Sequence, residues 1–244
     1  MVLKNLLVGQ SGGPSAAINA SLAGVLAEGI ASEKIGKVYG AVNGISGVLA
    51  DHIQEMDMME NEELLHLLKI TPAMALGSCR HKLAEIDSDP ESYQKIEAVF
   101  DKYNIGYFFY IGGNDSMDTV DKLNRYFCRI KKDVKVIGVP KTIDNDLVMT
   151  DHTPGFGSAA KYVASTVREI VLDASVYQQR SVTIIEIMGR HAGWLTAASA
   201  LARKYDGDNP LFIYLPEVAF DQDVFLKNLE KAFEKNCNLI VCVS

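Results

Sequence analysis

The 244-residue chain carries 24 Lys or Arg and 31 Asp or Glu, a formal net charge of −7. With 48% hydrophobic and 23% charged residues it has ample material for a packed core and is too apolar for a disordered chain. The acidic balance argues against a general nucleic-acid or membrane-surface binder, since both need a basic face, and no apolar run approaches the roughly 20 residues of a membrane span.

Residues 1–9 form a short apolar run with one Lys and no cleavage pattern, which reads as a first strand over 3–9 rather than a signal peptide. Gly-rich residues follow, then an apolar helical pattern over 14–30 and a short β-type run over 37–42. The acidic stretch 57–63 (DMMENEE) reads as a solvated helix start. Residues 92–103 are amphipathic, with Ile96, Val99, Phe100 and Tyr103 near helical spacing. The run IGYFFYI over 105–111 is apolar throughout, as expected of a strand buried on both faces. A helix over 116–131 and a strand over 134–139 lead into a loop rich in Asp, Thr, Pro and Gly over 140–157. Beyond it the pattern predicts a helix over 158–175, a strand over 181–187, a helix over 192–204, a strand over 211–215, a helix over 221–235 and a strand over 238–243. Repeated strand–loop–helix units imply an α/β fold of parallel sheets flanked by helices. The chain stops on a buried-type strand, LIVCVS, with no loop after it to carry ligand groups. We therefore expect a fragment of a longer protein.

The four cysteines, Cys79, Cys128, Cys237 and Cys242, make no CxxC pair and no zinc spacing. They read as mostly core thiols of a reducing, cytoplasmic compartment. Cys79 stands apart because it lies within a candidate site.

Three stretches carry chemistry. Gln10-Ser11-Gly12-Gly13-Pro14-Ser15 follows the first strand and opens a helix, where glycines admit an anion and the helix end offers N–H groups and partial positive charge. A tight turn with no ligand reads equally well. Gly112-Gly113-Asn114-Asp115-Ser116 repeats the arrangement. There Asp115 beside a phosphate calls for Mg²⁺ or a basic partner, unless Asn114 or Asp115 simply caps the helix. Pro140-Lys141-Thr142-Ile143-Asp144-Asn145-Asp146 follows a strand and combines a candidate base, a second carboxylate suited to Mg²⁺, a lysine charge and a hydroxyl. Phosphoryl transfer needs such a set, although Asp and Asn are also ordinary turn residues.

SGGPSAAIN, GGNDS, PKTIDND and MGRHAGW, in this order and spacing, closely resemble the phosphofructokinase family from the first strand to the last residue. The resemblance implies two Rossmann-like domains, a phosphoryl-donor domain over 1–156 and a sugar-phosphate domain over 157–244, the second incomplete. It implies that Asp144 is the base that deprotonates the 1-hydroxyl of fructose 6-phosphate, within a glycolytic reaction. Thr142, Ile143 and Asp144 would line the sugar site, with Met188, Gly189 and Arg190 as a second wall and Arg190 near the transferring group. Gly12, Gly13, Arg80 and Ser116 would serve the donor, and Asn114 and Asp146 the Mg²⁺. Arg180 lies near the position of an arginine that reaches a neighbouring subunit, and the full-length protein would be a homo-oligomer. Asp115 and Lys141 replace glycines of the ATP-using members. A carboxylate there crowds and repels a nucleotide α-phosphate, and a lysine neutralises the leaving phosphate, so inorganic pyrophosphate is the expected donor. Asp115, Lys141, Asp144 and Arg190 are thus the catalytic set, and Arg80, Lys141 and Arg190 the cations expected to converge.

The resemblance also expects a sugar-binding Glu just beyond Ser244, so this polypeptide alone should be inactive. ATP as donor is the same-class alternative. A non-catalytic phosphate-binding or regulatory subunit is the alternative from another class. His191 and His152 read as packing residues, Trp194 as core, and His81 and Lys82 either enlarge the basic patch at Arg80 or are simply solvated.

Overall fold

The computed structural model describes residues 2–57 and 61–244. The chain forms two compact units, Met1–Lys141 and Thr142–Ser244. This division falls ahead of the loop over 142–155, whereas the sequence reading draws its boundary at 156.

The first unit runs β1 (Lys4–Gln10), α1 (Ile18–Ala31), β2 (Ile35–Ala41), α2 (Gly44–Leu49), β3 (Ile53–Glu55), α3 (Glu62–Ile70), α4 (Pro90–Lys102), β4 (Ile105–Gly112), α5 (Asn114–Arg129) and β5 (Lys135–Pro140). Its five-stranded sheet has the order β3-β2-β1-β4-β5. All pairs are parallel except the short β3, which runs antiparallel on the edge. Side-chain alternation along the strands divides the core in two. Leu7, Phe108, Tyr110 and Val136 face a cluster with Tyr93, Phe100 and Phe127 from α4 and α5. Leu6, Val8, Val38 and Ile111 face Ile18, Leu22 and Leu26 of α1 and Leu68 of α3. Helices on both faces explain why β1 and β4 read as unbroken apolar runs. Each fully buried aromatic side chain here contributes about 1.5–3 kcal/mol relative to exposure.

The second unit runs α6 (Phe156–Ser175), β6 (Ser181–Glu186), α7 (Trp194–Ala198), β7 (Phe212–Tyr214), α8 (Gln222–Ala232) and β8 (Asn238–Val243). Its parallel sheet has the order β6-β8-β7. Central β8 is buried, and Ile240 and Cys242 pack with Val167, Ile187 and Leu195. Edge β6 alternates half-buried and exposed.

The first helix starts at Ile18 rather than at Pro14. Gly12 takes a positive φ of 79°, and the buried Gln10 amide holds the helix start by donating to the Ile18 carbonyl and to Asn19 Oδ1. The single helix expected over 192–204 is a short α7 followed by a 3₁₀ turn, Ser199–Ala202, where the Ser199 hydroxyl bonds the Thr196 carbonyl. Only Cys242 is a buried thiol; Cys128 and Cys237 are exposed and Cys79 is half-buried. Trp194 is 55% exposed rather than core, and stands edge-to-face on Phe156. Of the acidic stretch 57–63, residues 58–60 lie outside the described residues; α3 begins at Glu62, capped by Asn61. Among the described residues no helix is long and apolar enough to cross a membrane.

Candidate active site

In the first unit, the carboxyl ends of β1, β4 and β5 bring together the two glycine turns and Lys141. Lys141 is 6% exposed, and its ammonium donates to the Gly13 carbonyl at 2.6 Å. Its backbone N–H donates to the Gly112 carbonyl at 3.0 Å, extending the β4–β5 pairing. A buried cation is costly unless held by acceptors. This one is therefore built into the Ser11–Gly13 turn. The two turns are also tied directly, because Ser11 Oγ and Ser116 Oγ lie 2.5 Å apart and buried. A Cβ on Gly112 would come within 2.0 Å of that Ser116 hydroxyl, so only glycine admits the link.

The two glycine turns differ in one respect. The first lies in a loop well ahead of α1. The second meets the helix end directly: Gly113 is the N-cap of α5, with no side-chain cap, so Asn114 and Asp115 occupy the first turn and neither caps the helix. A carboxylate in a first helical turn is favoured by the helix dipole. Asp115 is also paired, at 2.9 Å, with Lys82. The sequence left Lys82 open between patch and solvent; the signal was its position two residues after Arg80.

The segment bearing Arg80 docks against the first turn. Gly12 N–H donates to the Cys79 carbonyl at 3.2 Å, and Ser78 Oγ donates to the Gly12 carbonyl at 2.5 Å. Gln10 Oε1 accepts from Leu76 N–H, and Asn43, at a φ of 65°, donates its side-chain amide to the Ser78 carbonyl. Arg80 itself is exposed. Behind it, Cys79 Sγ lies 3.5 Å from Tyr110 Oη. Burial pushes the Cys79 thiol up, but hydrogen bonds from Tyr110, Ser46 and His81 outweigh it and hold the thiol below its usual value. Burial raises Tyr110 in turn. Alkylation of Cys79 by iodoacetamide, followed by peptide mass spectrometry, should therefore show a midpoint below that of an ordinary thiol. Tyr110→Phe should move it upward; an unmoved midpoint would refute the assigned cause.

In the second unit, the loop after Lys141 is closed by its own polar groups. Thr142 N–H donates to the Pro154 carbonyl, and Thr153 Oγ1 to the Thr142 carbonyl at 2.8 Å. Asn145, buried at a φ of 57°, accepts from Thr153 N–H and donates to the Asp151 carbonyl. Asp144 is half-buried, its N–H bonded to Thr142 Oγ1 at 3.1 Å, while Asp146 is exposed. Ile143 turns into the apolar cluster that also holds Ile187 and Leu195, so the Asp144 loop and the Met188–Arg190 turn rest on one core. Met188 and Arg190 are exposed and Gly189 is buried at a φ of 140°. A Cβ on Gly189 would lie 2.4 Å from the Ala192 carbonyl oxygen. Glu217 steadies the following turn by accepting from Gly193 N–H at 2.7 Å. His152 stacks on Phe156 and His191 is exposed. Arg180 lies over the Phe233 ring at 5.5 Å. Thr153 and Glu217 were missed by sequence reasoning, as were the bonding roles of Ser11 and Asn145 within the motifs that contain them, because each acts through a partner distant along the chain or through turn geometry.

Among the described residues no three His, Cys, Asp or Glu side chains cluster in a way that would hold a metal. Asn114 and Asp146 are exposed oxygen donors of the type Mg²⁺ takes, and Mg²⁺ carried on a phosphate needs only one or two protein oxygens.

A family model described as Phosphofructokinase matches residues 5–244. The chain is 46% identical over 233 residues to a protein of Xanthomonas campestris pv. campestris named pyrophosphate–fructose 6-phosphate 1-phosphotransferase, covering 95% of this chain and 55% of that one. It is 32% identical to a protein of Glaesserella parasuis named ATP-dependent 6-phosphofructokinase, covering 96% and 66% respectively. The crystal structure of a pyrophosphate-dependent phosphofructokinase from Marinobacter aquaeolei superposes with a TM-score of 0.87 at 40% identity, covering 98% of this chain and 60% of that one. The chain spans 55 to 59% of the length of the pyrophosphate-named curated relatives it matches.

Proposed function

The chain belongs to the phosphofructokinase family, and we propose that the whole protein carrying it transfers a phosphoryl group from inorganic pyrophosphate to the 1-hydroxyl of fructose 6-phosphate. The observation that carries the donor assignment is Lys141, a buried ammonium bonded to the Gly13 carbonyl inside a glycine turn. A fixed positive charge there suits a leaving group with no adenosine, which departs as orthophosphate. Asp115, in the first turn of α5, supports the same assignment, since it adds a carboxylate where a nucleotide would place its α-phosphate.

In this reading the Gly12–Gly13 and Gly113 turns, Lys141 and Arg80 hold the donor. Asp144 takes the proton from the sugar hydroxyl, and Thr142, Met188, Gly189 and Arg190 orient the sugar phosphate. Asn114 and Asp146 would offer protein oxygens to Mg²⁺ carried on the diphosphate, and the ion would supply positive charge at the transferring group. The four free cysteines suit a reducing, cytoplasmic compartment.

Parallel steady-state assays on the full-length protein test the donor. With Mg²⁺ and fructose 6-phosphate, kcat/KM for pyrophosphate should exceed that for ATP by about 100-fold, the scale of a like-charge clash of a few kcal/mol. Asp115→Gly should narrow the ratio by about tenfold. A wild-type preference for ATP overturns the donor assignment, and an unchanged ratio in Asp115→Gly overturns the role of that carboxylate.

A further inference from the structure

Between Gly77 and α4 the first unit has no helix or strand, and the strap over residues 80–89 is tied to α5 through Lys122, Arg125 and Arg129 and to α4 through Tyr93. Leu83 pins the strap into the core at 1% exposure, while residues on either side are mostly exposed. Beside that pin lies a cavity of about 250 Å³ lined by Glu85, Asp87, Tyr93, Lys122, Arg125 and Arg129, among others. Leu83 and Ile86 pack the strap onto the core, and polar contacts hold the residues around them.

Those contacts are unequal. Arg125 pairs with Glu85 at 3.5 Å and Arg129 with Asp87 at 2.9 Å, but both arginines are more than half exposed. Such pairs contribute little. Lys122 is different. Its side chain is 12% exposed, and its ammonium donates to the Leu83 carbonyl at 2.9 Å, pairs with Glu85 at 3.5 Å and is steadied by Asp118 at 2.7 Å. A shielded, charge-assisted bond to a strap carbonyl is the strongest polar tie available here. Tyr93 adds a second tie, from its hydroxyl to the Ala84 carbonyl.

The other end of the strap carries Arg80 and Lys82, and Lys82 pairs with Asp115 at the first turn of α5. Both members of that pair are exposed, so a phosphate oxygen can replace the carboxylate at little cost.

We propose that Lys122 is a positioning residue for the donor: it fixes the strap so that Arg80 and Lys82 are presented at the amino end of α5. The inference rests on reading the two glycine turns as the donor site. Lys122 touches no substrate and acts through the strap.

The test uses the full-length protein with Lys122→Met, which keeps the aliphatic stem, and Lys122→Arg, which keeps the charge. Lys122→Met should raise KM for the donor that the wild type uses by about tenfold, with kcat and the sugar-phosphate KM within about twofold. Hydrogen exchange should quicken across residues 80–87, and Lys122→Arg should recover most of both effects. Should Lys122→Met fail to fold, Glu85→Gln removes the exposed partner of the same lysine and should raise donor KM about threefold. Unchanged donor KM and unchanged exchange, with or without a fall in Tm, overturns the proposal. A wild type that turns over neither pyrophosphate nor ATP overturns the functional reading instead, and the exchange measurement still decides the strap.

Discussion

Asp144→Asn is expected to lower turnover by about 10²–10⁴-fold while leaving the KM for sugar phosphate and donor within a few-fold, measured by steady-state formation of fructose 1,6-bisphosphate in the full-length protein. The amide keeps the shape and volume of the carboxylate and cannot take a proton. The loop that carries it keeps the bonds made by the Thr142 and Asn145 side chains, Thr153 and the Pro154 carbonyl. The bond from Asp144 N–H to Thr142 Oγ1 is made by the backbone and survives the change. An equal loss in binding would mean that Asp144 holds the sugar rather than activating it. Unaltered turnover would remove the base assignment and favour a phosphate-binding protein without catalysis.

Lys141→Met should reduce kcat with pyrophosphate by about 10²–10³-fold, the usual cost of losing one preorganised group that meets developing charge. Stability should fall modestly. Lys141 is 6% exposed and its ammonium bonds the Gly13 carbonyl, so an apolar chain leaves that carbonyl unpaired at a cost of about 1–3 kcal/mol. The backbone bond from its N–H to Gly112 does not depend on the side chain and remains. The expected signature is therefore a kinetic loss far larger than the fall in Tm explains, in a protein still folded at the assay temperature. A Tm fall that accounts for the lost activity would make Lys141 a structural residue.

Much of the fold was legible because its central strands are buried on both faces. The run over 105–111 and the final strand over 238–243 could only be satisfied inside a helix-covered parallel sheet. The elements missed, α2 and β3, are short; β3 is fixed by pairing with β2, and α2 by the Tyr110 hydroxyl that accepts from Ile45 N–H. The start of α1 was misread because Pro14 and Ser15 are good first-turn residues, whereas a side-chain bond from the Gln10 amide holds the helix at Ile18. At the site, the residue types of PKTIDND and GGNDS suggested the phosphate chemistry proposed above. The buried placement of Lys141 and the pairing of Lys82 with Asp115 needed coordinates, because each depends on where a flexible four-carbon stem comes to rest. The exposed indole of Trp194 shows the reverse error, in which helical spacing suggested core at the start of a helix whose apolar face is borne by other residues.

The side chain of Asn145 uses its oxygen for Thr153 N–H and its nitrogen for the Asp151 carbonyl. The turn that presents Asp144 is thus spelled by one amide read in a single orientation. An aspartate in its place would set oxygen against oxygen at Asp151 and add a negative charge next to Asp144, opening the turn and raising the proton affinity of its neighbour together. Loop shape and the basicity of Asp144 therefore change together when aspartate replaces Asn145.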